Sequence, residues 1–233
     1  MTKKAKVVFT KENVNNSLLQ WLSFFKAMDY QASKEIAEKM MKICREVIIN
    51  SFSKQDSNSR DHALVYGIFF HSLRNFTELI ELTNSGEWIN DTRDIDIVWV
   101  KFCDFKERYD YSSYYIELSD EIKNCITTIR ERIEQYFLDN FGPGMYMSPV
   151  IVMKKAICNI CGNDYRTCNH LRGAIYKGKR CFCIPESIRL TNVSLVDTPE
   201  DPRCRIWAWN TKNDNENWIR ILSFFKLEAF LDE

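Results

Sequence analysis

The chain has no apolar run near the ~20 residues that a membrane-spanning helix requires, and nothing resembling a signal segment follows Met1. A cytoplasmic protein with no membrane association is therefore expected. Net charge is also absent, with 32 Lys/Arg against 32 Asp/Glu, which speaks against general nucleic-acid binding by the chain as a whole. The phosphate-cradling Gly-x4-Gly-Lys-Ser/Thr loop and the Gly-x-Gly-x-x-Gly fingerprint are missing, so neither a nucleotidase nor a dehydrogenase is supported. No Arg–His pair in the helical region has the Arg-x(4–6)-His spacing of helical ribonucleases, and no Glu-x-x-His exists to complete a di-metal bundle. Repeats and low-complexity tracts are lacking too.

What remains is a chain of 233 residues, long enough for one large core or two small ones, and rich in aromatics: 15 Phe, 10 Tyr and 6 Trp. Its nine cysteines are odd in number and cluster at metal-like spacing, which favours a reducing compartment over a disulfide scaffold. Cys44, Cys103 and Cys125 fall in apolar helical patterns and are expected as buried thiols.

Periodicity predicts helices over 11–28, with Val14, Leu18, Trp21, Leu22 and Phe25 on one face behind Thr10 as N-cap, and over 33–52 with Ile36, Met40, Cys44, Val47 and Ile48. A central helix over 61–83 carries Leu64, Ile68, Leu73, Phe76 and Ile80. Two more follow, over 91–109 with Ile95, Val98, Trp99, Phe102 and Phe105, and from Ser119 to Phe141 with Ile122, Cys125, Ile126, Ile129, Ile133 and Phe137. Gly142-Pro143-Gly144 then reads as a domain boundary. Beyond it, strands are predicted at Met145–Ala156, Arg180–Ile184, Asn192–Val196 and Arg205–Trp209, with turns at Gly173, Gly178 and Pro185. Trp218, Ile221, Leu222, Phe225 and Leu231 predict a closing helix over 215–231. The expected architecture is α+β: an N-terminal α-helical bundle (1–143), then a small zinc-clamped β module with a C-terminal helix (144–233).

The sharpest motif is Cys158-Asn-Ile-Cys161-Gly followed by Cys168-Asn-His170. Two thiolates two residues apart bite one ion from a tight turn, and Cys168 with His170 complete a tetrahedron of soft and borderline ligands suited to Zn2+. The single residue between Cys168 and His170 places that pair on a turn. Cys181 or Cys183 competes for a place in the second pair. Four protein donors close the site, so the zinc is expected to be structural, without catalytic residues of its own.

Charge is uneven along the chain. Residues 151–189 carry 8 Lys/Arg against 2 Asp/Glu, while the flanking stretches are net acidic. Lys154, Lys155, Arg172, Lys177, Lys179 and Arg180, with Tyr165 and Tyr176 interleaved, are candidates for phosphate contact, for docking an acidic partner, or for steadying the metal thiolates. His62 and His71 lie nine residues apart on the third helix, pointing to different sides.

Cys158-Asn-Ile-Cys-Gly, Cys168-Asn-His-Leu-Arg-Gly173, Tyr176-Lys-Gly178 and Ser194-Leu-Val-Asp-Thr-Pro199-Glu-Asp-Pro202 together resemble a segment of phage prohead-protease-like, capsid-associated proteins. The likeness spans residues 158–206. It implies a shared β module in a phage-borne or antiphage protein, and it makes a serine peptidase of prohead-protease type one alternative, with Ser194 as nucleophile beside His62 or His71. The family's Gly-x-Ser-type motif ahead of that strand is missing here. The leading expectation is a non-enzymatic, zinc-stabilised adaptor subunit that docks a larger protein partner or forms a homo-oligomer. A nucleic-acid-binding module using residues 154–180 is the other alternative.

Overall fold

The computed structural model describes residues 9–52, 56–86, 88 and 92–207. They form an α+β protein whose helical part is N-terminal, as the sequence pattern predicts. The chain divides into two compact units, Met1–Ser119 with Ile157–Ile184, and Asp120–Ala156 with Pro185–Glu233.

The first unit holds helices α1 (Lys11–Lys26), α2 (Tyr30–Phe52), α3 (Ser57–Asn84) and α4 (Thr92–Ser113). Thr10 caps α1 as expected, its hydroxyl accepting from Asn13 N at 3.2 Å. Asp56 caps α3 by accepting from Ser59 N at 3.1 Å. Both caps satisfy amide groups that the first helical turn leaves unpaired. The predicted α1 face, Val14 to Phe25, is buried throughout, and so is the predicted α4 face from Ile95 to Phe105. Between its neighbours α2 and α4, the central α3 buries a wider stripe than periodicity gave: Ala63, Val65, Phe69, Phe70, Leu73, Phe76 and Leu79. Leu64, Ile68 and Ile80, predicted as core, are only half-buried.

Aromatic contacts knit this core. Phe76 stacks on Phe25 at 5.3 Å and tilts against Phe105 at 4.6 Å, and Trp21 stacks on Phe25 at 5.1 Å. The Trp21 indole N–H, which burial would otherwise strand, donates to Thr77 Oγ1 at 3.1 Å. Of the cysteines expected to be buried, Cys44 and Cys103 are, and Cys125 is half-buried. Burial pushes the Cys44 thiol up to about 12, so it packs as a small apolar group.

The first unit also takes in a short ribbon of β2 (Ile175–Tyr176) and β3 (Lys179–Arg180). Lys177 and Gly178 both have positive φ (54° and 77°), the two-residue turn whose twist matches an antiparallel pair.

The second unit contains α5 (Asp120–Phe141) and a three-stranded sheet in the order β4-β1-β5, formed by β1 (Met145–Cys158), β4 (Cys183–Val196) and β5 (Arg205–Ile206). The last two residues of β1 and the first two of β4 are counted with the first unit. Lys155 pairs with Glu186 at 3.5 Å, Thr191 Oγ1 donates to Val150 O at 2.9 Å, and Asn159 N donates to Phe182 O at 3.2 Å. Numbers rise along one strand as they fall along the other, so β1 and β4 run antiparallel. Pro185, expected at a turn, instead lies within β4. That strand is a sheet edge, where a missing N–H costs no ladder bond.

Gly142-Pro143-Gly144 is a tight turn inside the second unit, so the compact units part elsewhere than at residue 143. Gly144 (φ +87°) has no room for a side chain, since a Cβ there would meet Tyr146 Oη at 2.9 Å. The buried Arg205 closes this turn. Its Nη2 donates to Phe141 O at 3.2 Å and Gly142 O at 2.8 Å, a cation set on the orphan carbonyls of α5. Its guanidinium also stacks on Trp207 at 4.7 Å, and that ring packs on Phe137 and Phe141. The helix predicted over 215–231 and the end of the strand predicted to reach Trp209 lie outside the described residues. Among the described residues no helix is long and apolar enough to cross a membrane.

Candidate metal centre

β1 delivers Cys158 at its end, and a tight turn brings Cys161 back beside it. Gly162 N donates to Cys158 O at 2.8 Å, with Gly162 in the left-handed region (φ +75°) that its lack of a Cβ makes accessible. Asp164 then organises the next loop. It accepts from Arg166 N at 3.0 Å, and its backbone carbonyl takes the Cys168 N–H at 3.0 Å. Two side-chain bonds from Arg166 (2.9 and 2.6 Å) hold the Asp164 carboxyl down at about 2. Cys168 to His170 form a bend, as the one-residue gap predicts.

The result is a cluster in which the donor atoms of Cys158, Cys161, Cys168 and His170 all lie within 4.8 Å of one another. Cys158 Sγ is 3.8 Å from His170 Nδ1. A tetrahedral ion with Zn–S near ~2.3 Å and Zn–N near ~2.0–2.1 Å sets donors roughly 3.4–3.8 Å apart, so this set fits such an ion with little adjustment. The His170 ring stands edge-on against Tyr176 at 4.6 Å, and Tyr176 Oη in turn accepts from Leu171 N at 3.0 Å. Ligand orientation is thus supported from outside the cluster.

Neither Cys181 nor Cys183 belongs to the group of four. Cys181 is buried, with its Sγ 3.9 Å from Cys158 Sγ. Burial pushes the Cys181 thiol up to about 11, helped by Cys158 beside it. Cys158 goes the other way. Burial opposes its ionisation, but the backbone N–H groups of Cys161 and Ile160, with the thiols of Cys161 and Cys168, outweigh that and lower it to about 6. The two neighbouring sulfurs are thus driven in opposite directions, Cys158 towards the thiolate that metal binding requires and Cys181 towards the neutral thiol.

Several supporting residues carried no signal in the motif. Asn159 bridges two strand ends, its amide donating to Arg180 O and accepting from Phe182 N, both at 2.9 Å. Tyr111 on α4 donates to Gly173 O at 2.6 Å, and Asp61 on α3 accepts the Gly178 N–H. Arg180 lies over the Tyr111 ring at 4.2 Å and pairs with Glu107 at 3.9 Å. Long sequence separation hid these contacts, although a polar side chain inside a Cys-x-x-Cys turn is a hint worth reading.

The six basic candidates are divided between the two units. Arg172, Lys177, Lys179 and Arg180 lie in the first unit, whereas Lys154 and Lys155 are on β1 in the second. Ser194 is exposed on β4 in the second unit, which contains no histidine. His62 and His71 are on α3 in the first unit, where His62 Nδ1 is 2.9 Å from Asn58 O, and His170 stands in the cluster. No known protein family matches the chain, and neither a curated protein nor a solved structure proved similar to it.

Proposed function

We propose that this protein is a non-enzymatic adaptor whose first unit is fastened by a structural zinc ion and whose β1–β4 ribbon receives a β-strand from a larger partner protein. One observation carries the reading. Val150, Ile151, Val152 and Met153 on β1, with Ile188, Leu190, Val193 and Leu195 on β4, are each 40–63% exposed. Alternation puts these side chains on both faces of the ribbon. Apolar exposure on this scale marks an interaction surface, and among the described residues β4 is a sheet edge available for strand addition. Three thiols and one imidazole suit zinc, and four protein donors leave no position for a reactive water. Ser194 has no histidine in its own unit to act as base, so the support for peptidase chemistry is weaker. The likeness of residues 158–206 to phage capsid-associated proteins makes phage assembly or antiphage defence the setting we favour, in the cytoplasm.

A photo-crosslinking residue at Asn192, introduced in the native host, tests this. We expect one protein to be captured, with capture abolished by Leu190→Asp while far-ultraviolet circular dichroism is unchanged. Crosslinks only to a second copy of the chain would replace the adaptor by a self-assembling subunit. No protein crosslink at any β4 position would end the reading.

A further inference from the structure

We infer that the first unit carries a platform for single-stranded nucleic acid at the C-terminal end of α4, with Tyr114 and Tyr115 as base-stacking surfaces and Arg172, Lys177, Lys179 and Arg180 as the cations that meet its phosphates. The inference is independent of the ribbon and of any protein partner.

The aromatic part is a row of three tyrosines. Tyr114 is 85% exposed and Tyr115 52% exposed, just past the end of α4. Tyr114 meets Tyr115 edge-on at 5.1 Å, and Tyr115 lies 5.6 Å from Tyr111. Tyr111 is the inner end of the row, where its hydroxyl holds Gly173 and its face is covered by Arg180. The outer two residues are the exposed members of the row, Tyr114 the more so.

The cationic part is joined to that row by direct contact. Residues 165–180 include five Lys/Arg and no Asp/Glu, which separates this loop from the rest of a neutral chain. Arg172 precedes the glycine that Tyr111 holds, and Arg180 stacks on Tyr111 itself. Lys177 and Lys179 flank Gly178, whose N–H is fixed by Asp61 on α3. Acidic groups near this end include Asp61, Glu107, Asp110 and Glu117. The first is bonded to the loop, the second is paired with Arg180, the third adjoins Tyr111, and the fourth pairs with Lys11.

Cations that track a backbone beside exposed aromatic faces are the two components that single-stranded nucleic acid needs. Stacking on a tyrosine requires an unpaired base, which a duplex does not present. An acidic peptide would use the cations but leave the tyrosine faces without a role.

Fluorescence anisotropy of the zinc-loaded full chain with labelled twelve-nucleotide oligo-dT and oligo-U provides the test. We expect salt-dependent binding that Tyr114→Ala weakens about tenfold, within the ~5–150-fold range of lost base stacking, and that Tyr114→Phe preserves. Lys177→Glu with Lys179→Glu lowers the magnitude of the log–log salt slope by about 1.4, the share of two phosphates on a single strand. No binding at low salt with protein at ~100 µM, where even non-specific complexes form, overturns the proposal. Binding unchanged by Tyr114→Ala, or equal affinity for duplex, overturns it as well.

Discussion

Removing the metal separates the contribution of the cluster from that of the helices it lies against. Within residues 157–184 only Cys158 and Cys181 are buried, so this segment has no apolar core of its own. Its direct ties to α3 and α4 include the Tyr111–Gly173 and Asp61–Gly178 bonds and the contacts of Arg180 with Tyr111 and Glu107. At about 1 kcal/mol for each hydrogen bond and for the stacked cation, they supply roughly 3–4 kcal/mol. A structural zinc bound by the cluster would supply about 10–16 kcal/mol. Order in the segment is therefore predicted to depend on the ion. Purified protein should contain one zinc per chain, with a dissociation constant of about 50 nM or tighter by chelator competition. Chelation should remove amide-exchange protection from 157–182 and leave α1, α2 and the middle of α3 protected. Cys161→Ser is the matching variant, because Cys161 is exposed and its loss opens no cavity. It should weaken zinc by more than the ~10–100-fold that loss of a supporting residue costs. Metal-free protein, verified by elemental analysis, that kept the segment protected would refute the reasoning.

Two further outcomes follow from single side chains. Arg205→Ala should destabilise the protein by about 2–4 kcal/mol in urea unfolding, since it leaves the α5 carbonyls unpaired and removes the stack on Trp207, while Arg205→Lys recovers less than half; a loss below about 0.5 kcal/mol would contradict this. Burial, with Tyr115 beside it, pushes the Tyr111 hydroxyl up to about 12, so the neutral form is favoured in the folded state. Its contribution is complete below the unfolded value near ~10 and lost between about pH 10 and 12. Unfolding midpoints measured against pH should fall more steeply over that window in the native chain than in Tyr111→Phe.

The helices were legible because their burial is one-sided. Val14, Leu18, Trp21, Leu22 and Phe25 repeat at helical spacing, and every one is buried. Helix α3 was harder, because it is packed on two sides and its apolar stripe is too broad for one period to capture. Strand β4 was broken in two by the reading at Pro185. Nearly all of its residues are exposed, so no buried face imposes the alternation that marks a strand. The four members of the Cys/His cluster could be read from chemistry and spacing alone. Assignment of the metal segment to the helical unit could not, because it rests on Asp61, Glu107 and Tyr111, polar residues whose partners lie tens of positions away.

Lys155 and Glu186 face each other across β1 and β4, so the chain enters and leaves the metal segment at two neighbouring points. In topological terms that segment is a cartridge inserted at the tip of a hairpin. A two-residue Asn-Gly turn joining Ala156 to Pro185 would close the remaining strands with their register intact. A chain arranged in this way can exchange its insert without rethreading the strands that carry it.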